Sequence, residues 1–279
     1  KQILKGDFLD AIYDCHLHTE FSADSETPVR DQLEKAISLG MKEICITDHH
    51  DHGSQFCPDD FTLDLPTYIE SLRKIKDEYA DRIRLNIGIE LGLQNHVGDY
   101  LHDFAKTWGK EFDFVIGSSH FVDQMDPYEK AFWDRFGEKE GMEAFFKVSL
   151  ERIKKLCDTF DSYGHLDYSL RYAPHKNEFY SWKDYESYIR PLLKLLIENG
   201  KCLECNTGGI RYGLGNTNPC ADVFRFYREL GGELITIGSD AHTPKTLGIG
   251  FEQCREMLKS YGFRYYTVFH ERKAEMLPL

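Results

Sequence analysis

The sequence has no long hydrophobic run. Its longest apolar stretches, such as residues 192–197, fall far short of the roughly 18–20 residues that a membrane span requires. The first ten residues mix charges with apolar side chains, which is not the texture of a signal peptide, and the expected location is the cytoplasm. Positive charge is scarce. Lys and Arg number 34 against 47 Asp and Glu, for a net charge of −13. A surface of that sign repels nucleic acid, whose binding rests on Lys and Arg contacts to phosphate, and no basic patch offsets it. A small anionic substrate stays compatible with it if metal ions invert the field locally. A disulfide framework is also missing. The chain has eight cysteines, but it is far larger than a disulfide-stapled scaffold. Cys202 and Cys205 have CxxC spacing, yet no second pair completes a zinc knuckle, and their setting (KCLECNTGG) reads as a strand carrying packing thiols. Repeats, low-complexity tracts and Pro/Gly-rich linkers are absent too. With 279 residues, the chain is expected to form a single domain over 1–279, about the length of an α/β barrel.

What is present is an alternation of β and α patterns. Short apolar runs read as buried parallel strands at 11–16, 43–47, 85–90, 114–119, 162–167, 201–206 and 234–239. Helical periodicity appears at 28–39, with Thr27 as its expected cap and Gly40 after its end. It recurs at 67–79, 142–157, 185–198 and 221–230. Seven strands alternating with helices define a parallel sheet covered by helices, either an open doubly wound sheet or a barrel.

The polar residues favour the barrel. His16 and His18 end the first strand, Asp48 and His49 follow the second, and Glu90 ends the third. His120 follows the fourth strand, His165 lies in the fifth, Asn206 ends the sixth, and Asp240 and His242 follow the seventh. A barrel draws its active site from the C-terminal ends of many strands, whereas an open sheet concentrates it at one switch point. His16 and His18 are two apart on an extended segment, so both imidazoles face one side and can grip one ion. TDHHDH at 47–52 and GSDAH at 238–242 supply further ligand types. Glu90 ends an apolar run, where a bare carboxylate is costly unless paired or metal-bound. Taken singly, His120 and His165 read equally well as satisfied core histidines, and TDHHDH as a solvated loop. The shared position of these residues at successive strand ends points instead to a metal cluster. Its N/O donors suit zinc, manganese or iron. His96, His102, His175 and His270 read as structural or exposed, while His50 and His52 flank a ligand candidate.

These motifs, HLH, TDH, GIE, SSH and SDAH, occur in an order that resembles the PHP (polymerase and histidinol phosphatase) family over nearly the whole chain. FVIGSSHFVDQMDPYE, GHLDYSLRY, ECNTGGIR and FYRELGGELITIGSDAHTPKTLG resemble the histidinol-phosphatases of that family more narrowly. The resemblance implies a distorted (β/α)7 TIM-like barrel with three divalent metal ions (Zn, Mn or Fe) at the C-terminal ends of the strands. It implies that His16, His18, Glu90 and Asp240 hold one ion and that Glu90, His120 and His165 hold the second. Asp24, His49 and His242 would hold the third, with Glu20 and Asp48 as competitors for the place of Asp24. Asp48 otherwise orients a ligand histidine. The activity implied is hydrolysis of L-histidinol phosphate in histidine biosynthesis, by a metal-bridging hydroxide. A nucleotide or other small phosphomonoester is the alternative substrate, and an inactive metal-binding scaffold the alternative role.

Arg171 and Arg211 lie just past the fifth and sixth strands. They are expected to clamp the substrate phosphate, since guanidinium pairs with phosphate in a planar, bidentate way. Phe121, Asp123 and Tyr172 are, by location, candidates for contacts to the rest of the substrate.

Overall fold

The structure is a computed structural model, and it describes residues 12–53 and 61–279. The reading of residues 1–10, and the first residue of the strand expected at 11–16, lie outside the described residues.

The core is a curled parallel sheet. Its ladder runs β1 (Glu43–Ile46), β3 (Arg84–Gly92), β4 (Phe114–Ser118), β5 (Ser162–Tyr163), β6 (Cys202–Asn206) and β7 (Ile235–Gly238). A short β2 (His49–His50) continues beyond β1 and pairs with Glu90 and Leu91 of β3. Every residue of β1, β4, β6 and β7 is buried, as expected of parallel strands covered on both faces. The first expected strand forms no regular ladder, yet it closes the sheet. The Asp14 and Leu17 carbonyls accept the Cys45 and Thr47 N–H groups (both 2.9 Å) on one side. On the other side Cys15 N–H donates to Ile237 O (3.0 Å), Asp240 N–H to His16 O (2.8 Å) and His18 N–H to Ala241 O (3.0 Å). The result is a seven-stranded, distorted TIM-like barrel whose seam is this extended segment.

Helices α1 (Val29–Ser38), α2 (Leu65–Tyr79), α3 (Gly98–Thr107), α4 (Lys130–Phe136), α5 (Glu138–Leu156), α6 (Glu186–Glu198), α7 (Gly208–Arg211), α8 (Ala221–Glu229) and α9 (Phe251–Ser260) cover the barrel. Val29, Leu33 and Ala36 of α1 recur at helical spacing and are fully buried, each larger side chain contributing about 1.5–3 kcal/mol. Thr27 does not cap α1. Pro28 holds that position, and the Thr27 hydroxyl donates instead to the His242 carbonyl (2.7 Å), tying the helix to the last ligand loop.

A C-terminal hairpin, β8 (Tyr265–His270) and β9 (Lys273–Pro278), was not anticipated. Its tight turn uses Glu271 and Arg272 at positive φ (49° and 63°) rather than the Asn or Gly such turns favour. Arg272 donates to both oxygens of Asp161 (2.5 and 2.9 Å) at the end of the barrel opposite the histidines. The seven described cysteines are all unbridged, and Cys57 lies outside the described residues. No helix among the described residues is long and apolar enough to cross a membrane.

Candidate active site and metal centre

Glu90, at the C-terminal end of β3 and fully buried, is the hub. Its Oε2 lies 2.9 Å from His49 Nδ1, 3.3 Å from His16 Nε2 and 3.6 Å from His18 Nε2. Its Oε1 lies 2.9 Å from His165 Nε2 and 3.3 Å from His120 Nε2. Asp240 Oδ1 is 3.3 Å from His18 Nε2 and 3.9 Å from His16 Nε2. Asp24 Oδ2, at the rim, is 3.0 Å from His242 Nε2 and 3.6 Å from His49 Nε2. All nine ligand candidates therefore converge. Glu20 is exposed and Asp48 is engaged elsewhere, which leaves Asp24 as the carboxylate facing His49 and His242.

The donor set fits divalent cations. His49 Nδ1 and Glu90 Oε2 are both buried and 2.9 Å apart, yet neither has a hydrogen-bond partner, and His120 Nε2 is equally orphaned. Buried polar atoms are normally satisfied. Lone pairs that converge without bonding each other are accounted for by a shared cation. Four sets of three ligand atoms lie within 4.8 Å of one another: His16/His18/Glu90, His49/Glu90/His120, His18/His49/His242 and His16/His165/Asp240.

Four of the six imidazoles, those of His16, His18, His120 and His242, are oriented from behind. His16 Nδ1–H donates to Glu204 Oε1 (2.5 Å), and Glu204 Oε2 accepts the His165 backbone N–H (2.7 Å). His120 Nδ1–H donates to Asp51 Oδ1 (2.9 Å). His18 Nδ1–H donates to Ser22 Oγ (3.0 Å), which donates in turn to Asp48 (2.6 Å). His242 Nδ1–H donates to the Asp240 carbonyl (3.0 Å). These bonds fix the tautomer that presents Nε2 to the cluster. Two glycines make room for them. A Cβ on Gly238 would lie 2.3 Å from His16 Cβ, and one on Gly92 would lie 1.9 Å from Asp51 Oδ1.

The electrostatics are those of a site built around positive charge. Burial alone would push the Glu90 carboxyl up, but the imidazoles of His16, His49 and His120 hold it well below the usual carboxylate range. Burial opposes a charged His120, and Asp51 and Glu90 outweigh it, raising the imidazole to about 10. Glu204, Glu90 and Asp240 likewise raise His16 against its burial. His18 is pushed down by burial and by the neighbouring His242 and His49.

Arg171, on the turn after β5, is buried beneath Asp240. It donates from Nη1 to Asp240 Oδ2 (2.6 Å), from Nη2 to Asn206 (2.8 Å) and from Nε to Asn218 (2.9 Å). Arg211, at the end of α7, donates from Nη2 to the Asp240 carbonyl (2.9 Å) and keeps a buried Nε without a partner. Asp240 itself sits at φ 55°, with its carboxylate held by Arg171 and its carbonyl by Arg211.

A cleft of about 480 Å³ opens beside the cluster, lined by Asp24, His49, Asp51, Phe61, His120, Phe121, Asp126, Tyr128, Glu129, Tyr168, Tyr172 and Tyr212. Phe121 and Tyr172 are thus where the sequence placed them. Asp123 does not line the cleft: its exposed carboxylate turns to Arg135 (3.4 Å). His50 stands outside the cluster, with Nε2–H donating to Tyr100 (2.6 Å) and Nδ1 accepting the Leu63 N–H (3.1 Å); His52 stacks on the same tyrosine. His102, His175 and His270 pair with Asp158, Glu138 and Glu43, away from the cluster. Sequence reasoning assigned no role to Asp51, Glu204 or Asp126. The only signals available were the second aspartate of TDHHDH and the lone acid inside the apolar run KCLECN.

The PHP domain profile matches residues 14–208, and the chain belongs to this family. Within it, the chain is similar to the histidinol-phosphatase of Lactococcus lactis subsp. lactis, 30% identical over 264 residues that cover 94% of this chain and 96% of that protein. It is similar too to a probable histidinol-phosphatase of Thermotoga maritima, 31% identical over 256 residues (91% and 94% covered). A crystal structure of the Lactococcus lactis histidinol phosphate phosphatase, complexed with Zn, L-histidinol and phosphate, matches with a TM-score of 0.86 at 29% identity, covering 95% of this chain and 98% of that one.

Proposed function

We propose that the chain is a metal-dependent phosphomonoesterase that hydrolyses L-histidinol phosphate to L-histidinol and phosphate. The observation that carries this reading is the convergence of nine ligand-type side chains, Glu90 and Asp240 among them, at the floor of a cleft sized for a small molecule. The similarity to histidinol-phosphatases over most of the chain supports the substrate.

His16, His18, Glu90 and Asp240 would hold one divalent ion, Glu90, His120 and His165 a second, and Asp24, His49 and His242 a third, from zinc, manganese or iron. Bound there, such ions neutralise phosphate oxygens, lower the pKa of a water and stabilise the departing alkoxide. The chain's own cations complete the phosphate side. Arg211 directs a free Nε–H from beside Asp240, and Arg171 supplies charge from beneath while fixing the Asp240 carboxylate. The cleft walls then sort the leaving group. The unbridged thiols of the seven described cysteines suit work in a reducing cytoplasm.

The test is steady-state kinetics of the metal-loaded enzyme on L-histidinol phosphate beside a panel of nucleoside monophosphates. A kcat/KM at least about 100-fold higher for histidinol phosphate is expected. Equal or faster turnover of a nucleotide overturns the substrate. Full metal occupancy with no turnover of any phosphomonoester overturns the enzyme reading in favour of a scaffold.

A further inference from the structure

Two cations share one residue of the metal centre. Arg171 bonds the Asp240 carboxylate and Arg211 bonds the Asp240 carbonyl. Guanidinium groups drawn to the same residue repel each other, and the two are unequally held against that push. Arg171 is buried and spends its donors on Asp240, Asn206 and Asn218. Arg211 is half-buried, and its one hydrogen bond among the described residues is to a backbone oxygen.

A single ring answers both charges. The Tyr212 ring centroid lies 4.7 Å from the Arg211 guanidinium carbon and 4.8 Å from that of Arg171. Both distances are within the range in which a cation is attracted to an aromatic face. Tyr212 is itself tethered on several sides. Its N–H donates to Gly208 O (3.0 Å), and its carbonyl accepts from Lys176 Nζ (2.6 Å). The Tyr172 hydroxyl donates to the Tyr212 hydroxyl (3.3 Å), and the two rings meet edge to face at 5.4 Å. The paired glycines of GGIRY let this turn approach the arginines. A Cβ on Gly208 would lie 3.2 Å from Arg171 Nη2, and one on Gly209 would lie 2.5 Å from Asn216 O. The ring is therefore the fixed part, and the Arg211 side chain is the part it can fix.

We propose that Tyr212 is a positioning residue for phosphate binding: its ring offsets the repulsion between the two guanidinium groups and holds that of Arg211 in place beside Asp240. The inference rests on the reading of Arg211 as a phosphate ligand, not on the identity of the leaving group. Tyr212 acts on the phosphate through Arg211, so its loss costs every phosphomonoester alike. A ring that served the leaving alcohol would cost each substrate differently.

The test compares the metal-loaded wild type with Tyr212→Phe, which keeps the ring, and Tyr212→Met, which fills much of its volume without an aromatic face. Tyr212→Leu replaces the methionine variant should that chain not fold. The substrates are L-histidinol phosphate and p-nitrophenyl phosphate, with inorganic phosphate as competitive inhibitor. In Tyr212→Met, kcat/KM is expected to fall about 10–100-fold on both substrates, with weaker inhibition by inorganic phosphate and metal content intact. Tyr212→Phe should recover kcat/KM to within about 3-fold of wild type. Added to Arg211→Ala, Tyr212→Met should cost less than about 3-fold more, because the group it acts through is gone. A loss confined to L-histidinol phosphate overturns the proposal. So does a fully additive loss in the double variant, or a loss in Tyr212→Phe as large as in Tyr212→Met. Unchanged kinetics in Arg211→Ala would overturn the arginine reading and this proposal together. A wild-type preference for nucleotides overturns the substrate reading alone, and this proposal then stands or falls on p-nitrophenyl phosphate and the nucleotide.

Discussion

Glu204 joins two ligands on different strands. Its Oε1 lies 2.5 Å from His16 Nδ1 and its Oε2 accepts the backbone N–H of His165 at 2.7 Å. One buried carboxylate thus aims an imidazole on the closing seam and fixes the loop that carries another. Glu204→Gln keeps the volume but replaces the acceptor facing His16 or His165 with a donor. Metal affinity is expected to fall about 10–100-fold, as it does when such orienting partners are lost. Chelator competition followed by elemental analysis measures this; unchanged affinity would show that His16 needs no orienting partner.

The two arginines are expected to separate. Arg211→Ala removes a cation that bonds a backbone carbonyl and lies over the Tyr212 ring but holds no ligand carboxylate, so kcat/KM should fall by orders of magnitude with metal content intact. Arg171→Ala strips the buried Asp240 carboxylate of its 2.6 Å cationic partner and leaves Oδ2 with only the Asn206 amide at 3.4 Å. It should lower metal occupancy and thermal stability as well as kcat/KM. Identical metal content and melting temperature in the two variants would refute this division.

Removing metal should destabilise the protein. Glu90, Asp24, Asp240 and six imidazoles are packed together, and any ligand that binds only the folded state stabilises it by mass action. Extensive chelation is expected to lower Tm by several degrees, with recovery on adding Zn or Mn. Differential scanning calorimetry at matched ionic strength reads the shift, and a Tm indifferent to chelation would contradict the assignment.

Asp126 also gives the fold a pH dependence. Burial pushes its carboxyl up to about 6 from the ordinary 3.8. A raised carboxyl is neutral in both states below about 3.8, so its stability contribution is complete there and is lost as pH rises through about 6. Relative to wild type, Asp126→Asn should therefore match it near pH 4 and be the more stable protein above pH 6, in the absence of substrate. Urea unfolding at both pH values checks the sign. A variant less stable than wild type at neutral pH would refute this sign.

Much of the barrel was legible because parallel strands buried on both faces are written as unbroken apolar runs. The runs at 43–47, 85–90, 114–119, 201–206 and 234–239 all became strands. The run at 162–167 shortened to Ser162–Tyr163, because the chain must turn early to bring His165 inward. The hairpin at β8 and β9 was illegible because Glu271 and Arg272 adopt left-handed backbone without the residues that advertise it. Asp24, on the loop before α1, was reached only through the family resemblance, but the other eight of the nine metal-ligand candidates were readable because they lie at or just past strand ends. Their supports were not. Whether an acid such as Asp51 or Glu204 faces an ion or the back of an imidazole is decided by tertiary packing. The exchange of Asp123 for Asp126 at the cleft has the same origin, in a left-handed turn that one residue's identity does not announce.

The seam of the barrel orders events during synthesis. His16 and His18 leave the ribosome early, but one side of the backbone that seats them belongs to Ile237, Asp240 and Ala241. The first ligands made must wait for almost the whole chain before they have a place to sit. Until then, His49, Glu90, His120 and His165 are the ligands already in sequence reach of one another. The metal centre therefore cannot be completed on a nascent fragment, and its completion coincides with closure of the sheet.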